Sequence, residues 1–129
     1  MSDQSVREVL DACRQLLKSI DEQNWTEYAA LCDSTLTAFE PEACGHLATG
    51  LDFHHFYFQL ENDGKSRQQS TISSPDVRVV GDCAVVGYVR LTQRVDREGR
   101  VTVGSANETR VWQKSNGQWK HIHFHRSPC

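Results

Sequence analysis

The spacing of apolar residues changes once along this chain, and that change limits the folds open to it. In the first 60 residues most apolar side chains recur every three or four positions, whereas from residue 66 onward they alternate in runs separated by turn residues. A spacing of three to four buries one face of a helix, and alternation buries one face of a sheet. The sequence therefore predicts an α+β domain in which a bent antiparallel sheet packs on helices.

The helical half is predicted to hold three helices and one short strand. The first helix carries apolar residues at helical spacing, namely Val6, Val9, Leu10, Cys13, Leu16, Leu17 and Ile20. Asn24 is the predicted N-cap of a second, short helix because Glu27 follows three residues later, as in a capping box. A strand over "STLTAFEPE", ended by Pro41, precedes a third helix over "GLDFHHFYFQL".

The second half reads as five strand-like runs: "RQQSTISS", "DVRVVG", "CAVVGYVRLTQRV", "RVTVGSANETRVWQ" and "QWKHIHFHR". Turn dipeptides separate them at Ser74-Pro75, Gly81-Asp82, Glu98-Gly99 and Asn116-Gly117. Asn-Gly between two strands is a strong signal for a two-residue hairpin. No repeat, low-complexity tract or linker interrupts the chain, so we expect one domain over residues 1–129.

Composition narrows the function classes. The formal net charge of −3 gives no driving force for nonspecific binding to nucleic acid or membranes. The start "MSDQSVREVL" lacks a signal-peptide pattern and no apolar run approaches the length of a spanning helix, so we expect a cytoplasmic protein. Gly-rich phosphate loops and G-x-S-x-G turns are missing from the sequence, and no cofactor is expected.

The cysteines predict scattered reduced thiols rather than a disulfide framework or a zinc knuckle. They are odd in number and contain no C-x-x-C pair: Cys13, Cys32, Cys44, Cys83 and Cys129. A cysteine close in space to a histidine would suggest a thiol nucleophile, but sequence alone does not show such a pair. Most of these cysteines are expected to be small core residues.

Three arginines share the inward parity of three different strands. Their same-face neighbours are Ala84, Val86 and Tyr88 for Arg90, Trp112 for Arg110, and Ile122 and Phe124 for Arg126. An unpaired charge costs several kcal/mol to bury, so each guanidinium needs an anion unless the parity is misjudged and the side chain is exposed. One interpretation pairs the arginines internally with Glu40, Glu108 or Asp52. The other places them around a recess that binds a small anion or a partner's acidic side chain through bidentate contacts.

The last run, "HIHFHRSPC", raises the alternative of a metal site. Alternation puts His121, His123 and His125 on one face and Ile122, Phe124 and Arg126 on the other. A three-histidine site needs nitrogens converging at about 2.0–2.1 Å from the metal, yet residues i and i+4 of a strand lie roughly 13 Å apart. We therefore expect no metal, and we predict outward histidines that pack on a neighbouring surface or a subunit interface.

Five stretches resemble the association, or hub, domain of calcium/calmodulin-dependent protein kinase II, in that family's order and nearly its spacing. They are "LTAFEPEACG", "GLDFHHFYF", "VVGYVRLTQ", "ETRVW" and "GQWKHIHFHRS". The resemblance covers nearly the whole chain and implies a nuclear transport factor 2-like fold, a cone in which a long N-terminal helix lies in a strongly curved antiparallel sheet. It further implies a homo-oligomer of dimers assembled into a ring, and co-assembly with kinase hub domains is a further hypothesis.

The resemblance also implies a pocket for small carboxylates or acidic peptide segments. Its arginines fall at Arg90, Arg110 and Arg126 and its histidine at His54, and we add Tyr57 as a ligand-binding candidate. The chain begins almost at the first hub helix, so neither kinase activity nor calmodulin binding is expected of it. Two departures from the family bear on the pocket mouth: the histidine that follows His54 stands where the family commonly has arginine, and the loop "ENDGKSRQQ" is short.

A small enzyme is the alternative, because the same cone fold hosts isomerases, dehydratases and cyclases. In that case His54 is the general base, Tyr57 a proton donor and Arg126 the anchor of a substrate carboxylate. The sequence places no carboxylate in the cavity with such a base. A noncatalytic hub is therefore the preferred hypothesis.

Overall fold

The computed structural model describes residues 3–60, 64 and 66–128, so most of the short loop "ENDGKSRQQ" before residue 66 and Cys129 lie outside the described residues. The helices are α1 (Asp3–Asp21), α2 (Trp25–Leu31) and α3 (Asp52–Phe58), with a 3-10 turn at Pro41–Ala43. The strands are β1 (Cys32–Phe39), β2 (Ala48–Thr49), β3 (Arg67–Val80), β4 (Cys83–Val95), β5 (Val101–Ser115) and β6 (Gln118–Pro128). The predicted α+β arrangement is confirmed.

The helix α1 forms because its apolar residues make one stripe, and that stripe packs against the inner face of the sheet. Val9, Cys13 and Leu16 are fully buried and belong to the same core as Trp112 of β5. The predicted N-cap of α2 is also confirmed, since the Asn24 side chain accepts a hydrogen bond from the Glu27 backbone N–H at 3.1 Å. The helices α1 and α2 thus cover the inner face of the sheet and form one side of the core.

The sheet is mixed, with the strand order β2-β1-β6-β5-β4-β3. Every pairing is antiparallel except that of β1 with β6, which is parallel and aligns Cys32 with His121 and Phe39 with His125. The expectation of an antiparallel sheet is corrected at this pairing. The two strands lie far apart in sequence, and the helices and hairpins between them return the chain in the same direction.

The two strands predicted over "RQQSTISS" and "DVRVVG" form one continuous strand, β3. The break expected at Ser74-Pro75 is a bulge inside β3, between Ser73 and Asp76, and Ser74 has a φ of 53°. A bulge bends a strand without ending it, and proline is tolerated because β3 lies at the edge of the sheet. At the predicted Asn116-Gly117 hairpin both residues have positive φ, as a tight type I′ turn requires.

A second bulge lies in the middle of β6 and changes which side the histidines face. Trp112 pairs with His121 and Val111 pairs with His123, so Ile122 is an extra, unpaired residue. The extra residue shifts the alternation by one, and His121 faces inward with a relative exposure of 0%. The prediction that His121 lies outward is therefore wrong, whereas His123 and His125 contact Phe39 on the other face.

Candidate functional site

A cavity of about 670 Å³ opens between the end of α1, the helix α3 and the inner face of the sheet. The sequence-predicted site residues His54, Tyr57, Arg90, Arg110 and Arg126 all line it. Alternation explains the arginines, because β4, β5 and β6 each turn one of them inward. The structure brings the predicted residues together, and their role in ligand binding stays a prediction.

A buried ion network, here called the floor network, is made of Tyr88, Arg90, Glu108 and Arg110, and its two arginines line the cavity. Glu108 Oε1 accepts from Arg110 Nη2 at 3.0 Å and from Tyr88 Oη at 2.5 Å, and its Oε2 accepts from Arg90 Nη1 at 3.3 Å. Burial would raise the pKa of Glu108, but Arg110 and Arg90 outweigh it and hold that pKa at about 2. Internal pairing, left open by the sequence, is thus the state of these two arginines.

Arg110 is buried on all sides, with a relative exposure of 1%. Its Nε donates to Tyr88 Oη at 2.7 Å, and its guanidinium carbon lies 4.6 Å from the centre of the Phe124 ring. Burial and Arg110 both lower the pKa of His121 well below its usual range, so His121 is neutral and accepts from Arg110 Nη1 at 3.4 Å. Arg110 has little freedom to turn toward a ligand.

The thiol of Cys32 lies 3.6 Å from His121 Nδ1, which makes this the kind of cysteine–histidine pair that could signal a nucleophile. Burial raises the pKa of Cys32 to about 12, against the opposing effect of Arg110. The thiolate, not the thiol, is the nucleophile, so this buried pair is a packing contact.

Arg90 connects the floor network to the helical side of the cavity. Its Nε donates to Ser70 Oγ at 3.0 Å, and its Nη2 lies 3.6 Å from Asp21 Oδ1 at the end of α1. The same Asp21 carboxylate accepts from the Ser70 backbone N–H at 2.7 Å and so joins α1 to β3. Arg90 therefore touches two carboxylates, and both belong to the protein.

Arg126 is different because it lies near the cavity mouth, with 23% of its side chain exposed. Its Nη2 donates to both carboxylate oxygens of Glu42, at 2.6 Å for Oε2. Glu42 comes from the 3-10 turn and its side chain is 39% exposed. Of the three predicted arginines, this is the one whose carboxylate partner is exposed to solvent.

Glu40 and His54 lie side by side in the cavity lining, and with Glu42 and Arg126 they form what we call the acidic wall. Their side chains are 9% and 5% exposed, and Glu40 Oε1 is 3.7 Å from His54 Nδ1, too far for a hydrogen bond. His54 Nε2 is buried without a hydrogen-bond partner among the described residues. His54 is thus buried with part of its hydrogen-bonding capacity unused.

The two pKa shifts in the acidic wall have opposite directions and the same main cause. Burial raises the pKa of Glu40 to about 7, with repulsion from Glu42 added and attraction to Arg126 opposing. Burial lowers the pKa of His54 to about 4, and the charge of Arg110 lowers it further. Near neutral pH the contact therefore joins a neutral imidazole to a carboxyl group at its titration point.

The sequence alone placed no carboxylate in the cavity, and the structure shows that Glu40 and Glu42 both line it. A signal was present in the sequence, because Glu40 has the same parity as Leu36 and Ala38 in β1, and those two are fully buried. Asp52, proposed as an arginine partner, lies exposed in the first turn of α3 and does not line the cavity.

The rim adds residues that the sequence did not single out. Arg67, Arg94 and Arg100 line the cavity, and Arg94 has the inward parity of Arg90 on β4. Tyr57 stands at the rim with a relative exposure of 38%. His55, at the position where the family commonly has arginine, stacks on Trp25 at 4.3 Å between ring centres and lies outside the cavity lining.

Within residues 3–60, 64 and 66–128, no group of three or more histidine, cysteine, aspartate or glutamate side chains could hold a metal ion. None of the described helices has both the length and the apolar character needed to cross a membrane.

Comparison with known proteins extends over almost the entire chain. Residues 5–129 match the family model described as calcium/calmodulin dependent protein kinase II association domain. The calcium/calmodulin-dependent protein kinase type II alpha chain of Drosophila melanogaster is 42% identical over 124 residues, which are 94% of this chain and 23% of that protein. The chain thus spans less than a quarter of the length of this curated relative.

Solved structures agree with the family match. The CaMKII hub homology domain of Chlamydomonas reinhardtii superposes with a TM-score of 0.91 and 47% identity, covering 97% of this chain and 98% of that one. A nuclear transport factor 2-like protein from Salmonella enterica superposes with a TM-score of 0.79 at 23% identity, covering 98% and 93%, and shows the fold alone. The chain belongs to the calcium/calmodulin-dependent protein kinase II association domain family and has the nuclear transport factor 2-like fold.

Proposed function

We propose that this chain is a cytoplasmic, noncatalytic hub that assembles with copies of itself into a ring and binds small carboxylates or acidic peptide segments in its recess. Family membership over residues 5–129 is the observation that carries the proposal, since its relatives are association domains. Kinase hub domains are proposed as further partners, because a shared fold allows mixed assembly. Pull-down from the source cells, followed by identification of kinase hub domains, tests that part.

Exposed valines on the outer face of the sheet support self-assembly. Val85 on β4 and Val101 and Val103 on β5 have relative exposures of 44%, 66% and 63%. They have the parity opposite to that of Arg90 and Arg110, and no register shift interrupts the pairing of β4 with β5. Exposed apolar side chains across one sheet face are a natural subunit interface.

Size-exclusion chromatography with light scattering tests the assembly. We expect an oligomer at micromolar concentration and a smaller species for Val103→Lys, because a lysine would leave a charge in an apolar contact. Gln15→Lys, which adds the same charge at an exposed position of α1, is the control and should leave the mass unchanged. A strictly monomeric wild-type protein would contradict the proposal.

The recess is proposed to bind carboxylates at Arg126. That guanidinium already contacts a carboxylate, that of Glu42, and lies at the solvent-exposed side of the cavity. Tyr28, Phe58 and Phe124 add apolar surface to the lining, which favours a carboxylate carried on an apolar body.

Calorimetry with benzoate and with an acetylated Glu-Pro-Glu amide distinguishes the two ligand sources. If benzoate or the peptide binds to the wild type and not to Arg126→Gln, the result supports carboxylate binding at Arg126. Benzamide, the neutral analogue of benzoate, is the control and should bind more weakly. Equal binding of benzoate and benzamide would contradict carboxylate recognition.

One observation favours a catalytic alternative. Glu40 is a buried carboxyl group with a pKa of about 7, placed in a cavity beside His54, and a general base works best near the operating pH. In this alternative Glu40 replaces His54 as the base, because the low pKa of His54 makes it the weaker one. Deuterium exchange at the carbon next to the ketone of levulinate, lost in Glu40→Gln, would support it; no exchange by the wild type would contradict it.

A further inference from the structure

The acidic wall contains a buried carboxylate with no cation of its own. Within 4.0 Å, Glu40 has one possible ion-pair partner among the described residues, His54, and that imidazole is neutral above about pH 4. The nearby guanidiniums contact other carboxylates: Arg126 contacts Glu42, and Arg110 contacts Glu108. An ionised Glu40 would therefore be a largely buried charge with no cation within 4.0 Å among the described residues.

The groups that face Glu40 come from five elements around it. They are Tyr28 of α2, Glu42 of the 3-10 turn, His54 of α3, Glu108 and Arg110 of β5, and Arg126 of β6. Two are cations and two are carboxylates, so their formal charges cancel before Glu40 is counted. Glu40 and an incoming carboxylate would add two negative charges to this neutral set of groups. Arg67, Arg94 and Arg100 line the same cavity at its rim and are not among the main groups that shift the pKa of Glu40.

We propose that the recess takes up one proton together with each carboxylate it binds, and that Glu40 is the residue that accepts this proton. The proposal rests on the proposed function, since it concerns the same recess. Two carboxylates that share a buried site do not both remain ionised, because each disfavours the charged form of the other. The proton comes from solvent and bonds to a carboxylate oxygen of Glu40, so the net charge of the recess does not change on binding.

Protonation also gives the wall a donor that it otherwise lacks. A protonated Glu40 carries one O–H that can donate to a ligand carboxylate, whereas the ionised group only accepts. Burial and repulsion from Glu42 hold the pKa of Glu40 at about 7 in the free protein, so the group needs little further shift to take up the proton. Two buried groups nearby are poorer acceptors: burial raises the pKa of Cys32 to about 12, so that thiol is already protonated, and burial lowers the pKa of His54 to about 4.

The consequence is that a carboxylate binds more weakly as pH rises. With one proton taken up per ligand, affinity for benzoate falls about tenfold per pH unit once Glu40 is ionised in the free protein. We expect benzoate affinity to be flat below about pH 6 and to fall from pH 7.5 to 8.5. Benzamide carries no charge, so its affinity should be independent of pH over the same range.

Titration calorimetry in two buffers with different ionisation enthalpies counts the protons directly. For the wild type at pH 8 we expect about one proton taken up per benzoate bound, and close to none at pH 5.5. Glu40→Gln should bind benzoate with no proton uptake and with little pH dependence. Glu42→Gln is the matched control from the same segment, and it should keep the uptake with its onset moved to lower pH, because one cause that raises the pKa of Glu40 is gone.

Each outcome decides the proposal. Benzoate binding without proton uptake at pH 8 overturns the inference alone, and so does wild-type pH dependence in Glu40→Gln. No benzoate binding anywhere between pH 5.5 and 8.5 overturns the proposed recess and the inference with it. If Glu40→Gln does not fold, infrared spectra of wild-type protein with labelled glutamate decide instead: a carboxylic acid band must appear when benzoate is added at pH 8, and its absence overturns the inference.

Discussion

The floor network and the acidic wall meet at one cavity, yet the buried carboxylates of the two regions have opposite pKa shifts. In the floor network Glu108 accepts hydrogen bonds from Arg90, Arg110 and a tyrosine, and its pKa is held at about 2. In the acidic wall the one ion-pair candidate within 4.0 Å of Glu40, among the described residues, is a neutral histidine, and the pKa of Glu40 is raised to about 7. A count of arginines therefore does not measure the charge available to a ligand, because all three already contact carboxylates of the protein.

Removing the floor carboxylate should have the largest effect on stability. In Glu108→Ala the buried guanidiniums of Arg90 and Arg110 lose their shared partner, and breaking a buried ion pair costs about 3–5 kcal/mol. Urea unfolding at one fixed protein concentration measures it. Glu98→Ala, at an exposed turn position, is the control and should change little. A loss below about 1 kcal/mol would show that the floor network is not the electrostatic anchor of the cavity.

The two carboxylates should also respond oppositely to pH. Because the folded-state pKa of Glu108 is below its usual 4.5, its contribution of about 3 kcal/mol is present above pH 4.5 and is lost as pH falls toward 2. Because the pKa of Glu40 is raised to about 7, the folded state binds more protons, and stability is lost as pH rises from 4.5 through 7.

For Glu40→Gln we therefore expect a gain relative to wild type that grows from pH 4.5 to 8, up to about 3 kcal/mol. Chemical unfolding at several pH values measures it. A gain that stays the same from pH 4.5 to 8 would mean that Glu40 titrates normally, and the contrast between the two regions would disappear.

Within the acidic wall, His54 and Glu40 should change the stability in opposite directions as pH rises. Its pKa is lowered to about 4, so the unfolded state binds more protons and stability rises as pH increases from 4 to 6.5. This slope opposes that of Glu40 between pH 4.5 and 6.5. We expect wild-type stability to change little in that window, to rise with pH in Glu40→Gln and to fall with pH in His54→Gln. Equal slopes in the two variants would contradict the assignment.

The pair at the cavity mouth should matter least for stability. Arg126 and Glu42 are partly exposed, and such ion pairs contribute about 0–1 kcal/mol. Arg126→Gln should therefore lower the free energy of unfolding by about 1 kcal/mol or less while removing benzoate binding. Unfolding and calorimetry on the same variant separate the two effects. A variant that unfolds easily and binds benzoate normally would reverse the roles given to the floor network and the mouth.

Much of the fold could be predicted from periodicity. The stripe on α1, the Asn24 cap and the inward parity of Arg90 and Arg110 depend only on local spacing, and the structure has all of them. The position of His121 could not be predicted in this way, because the bulge at Ile122 inserts one residue and reverses the parity before it. The parallel pairing of β1 with β6 joins distant segments, and no local pattern reports it.

The sequence predicted part of the site's membership but not the charge state of its groups. The parity of Glu40 in "LTAFE" indicated an inward carboxylate, yet whether that carboxylate meets a cation depends on which guanidinium lies within about 4 Å in space. For Arg110, too, the sequence left open whether the guanidinium pairs inside the protein. In the structure its carboxylate partner is Glu108, two residues earlier on the same strand. Sequence therefore identified the residues around the cavity, and the structure shows which of them are already paired.

The titration of Glu40 itself tests the central claim most directly. Infrared spectra of protein with labelled glutamate, recorded from pH 5 to 8.5 for the wild type and for Glu40→Gln, follow a buried carboxylic acid band at any assembly size. We predict a band that disappears with a midpoint near pH 7 in the wild type and is missing from Glu40→Gln. A wild-type spectrum with no such band above pH 5.5 would contradict the difference between the acidic wall and the floor network.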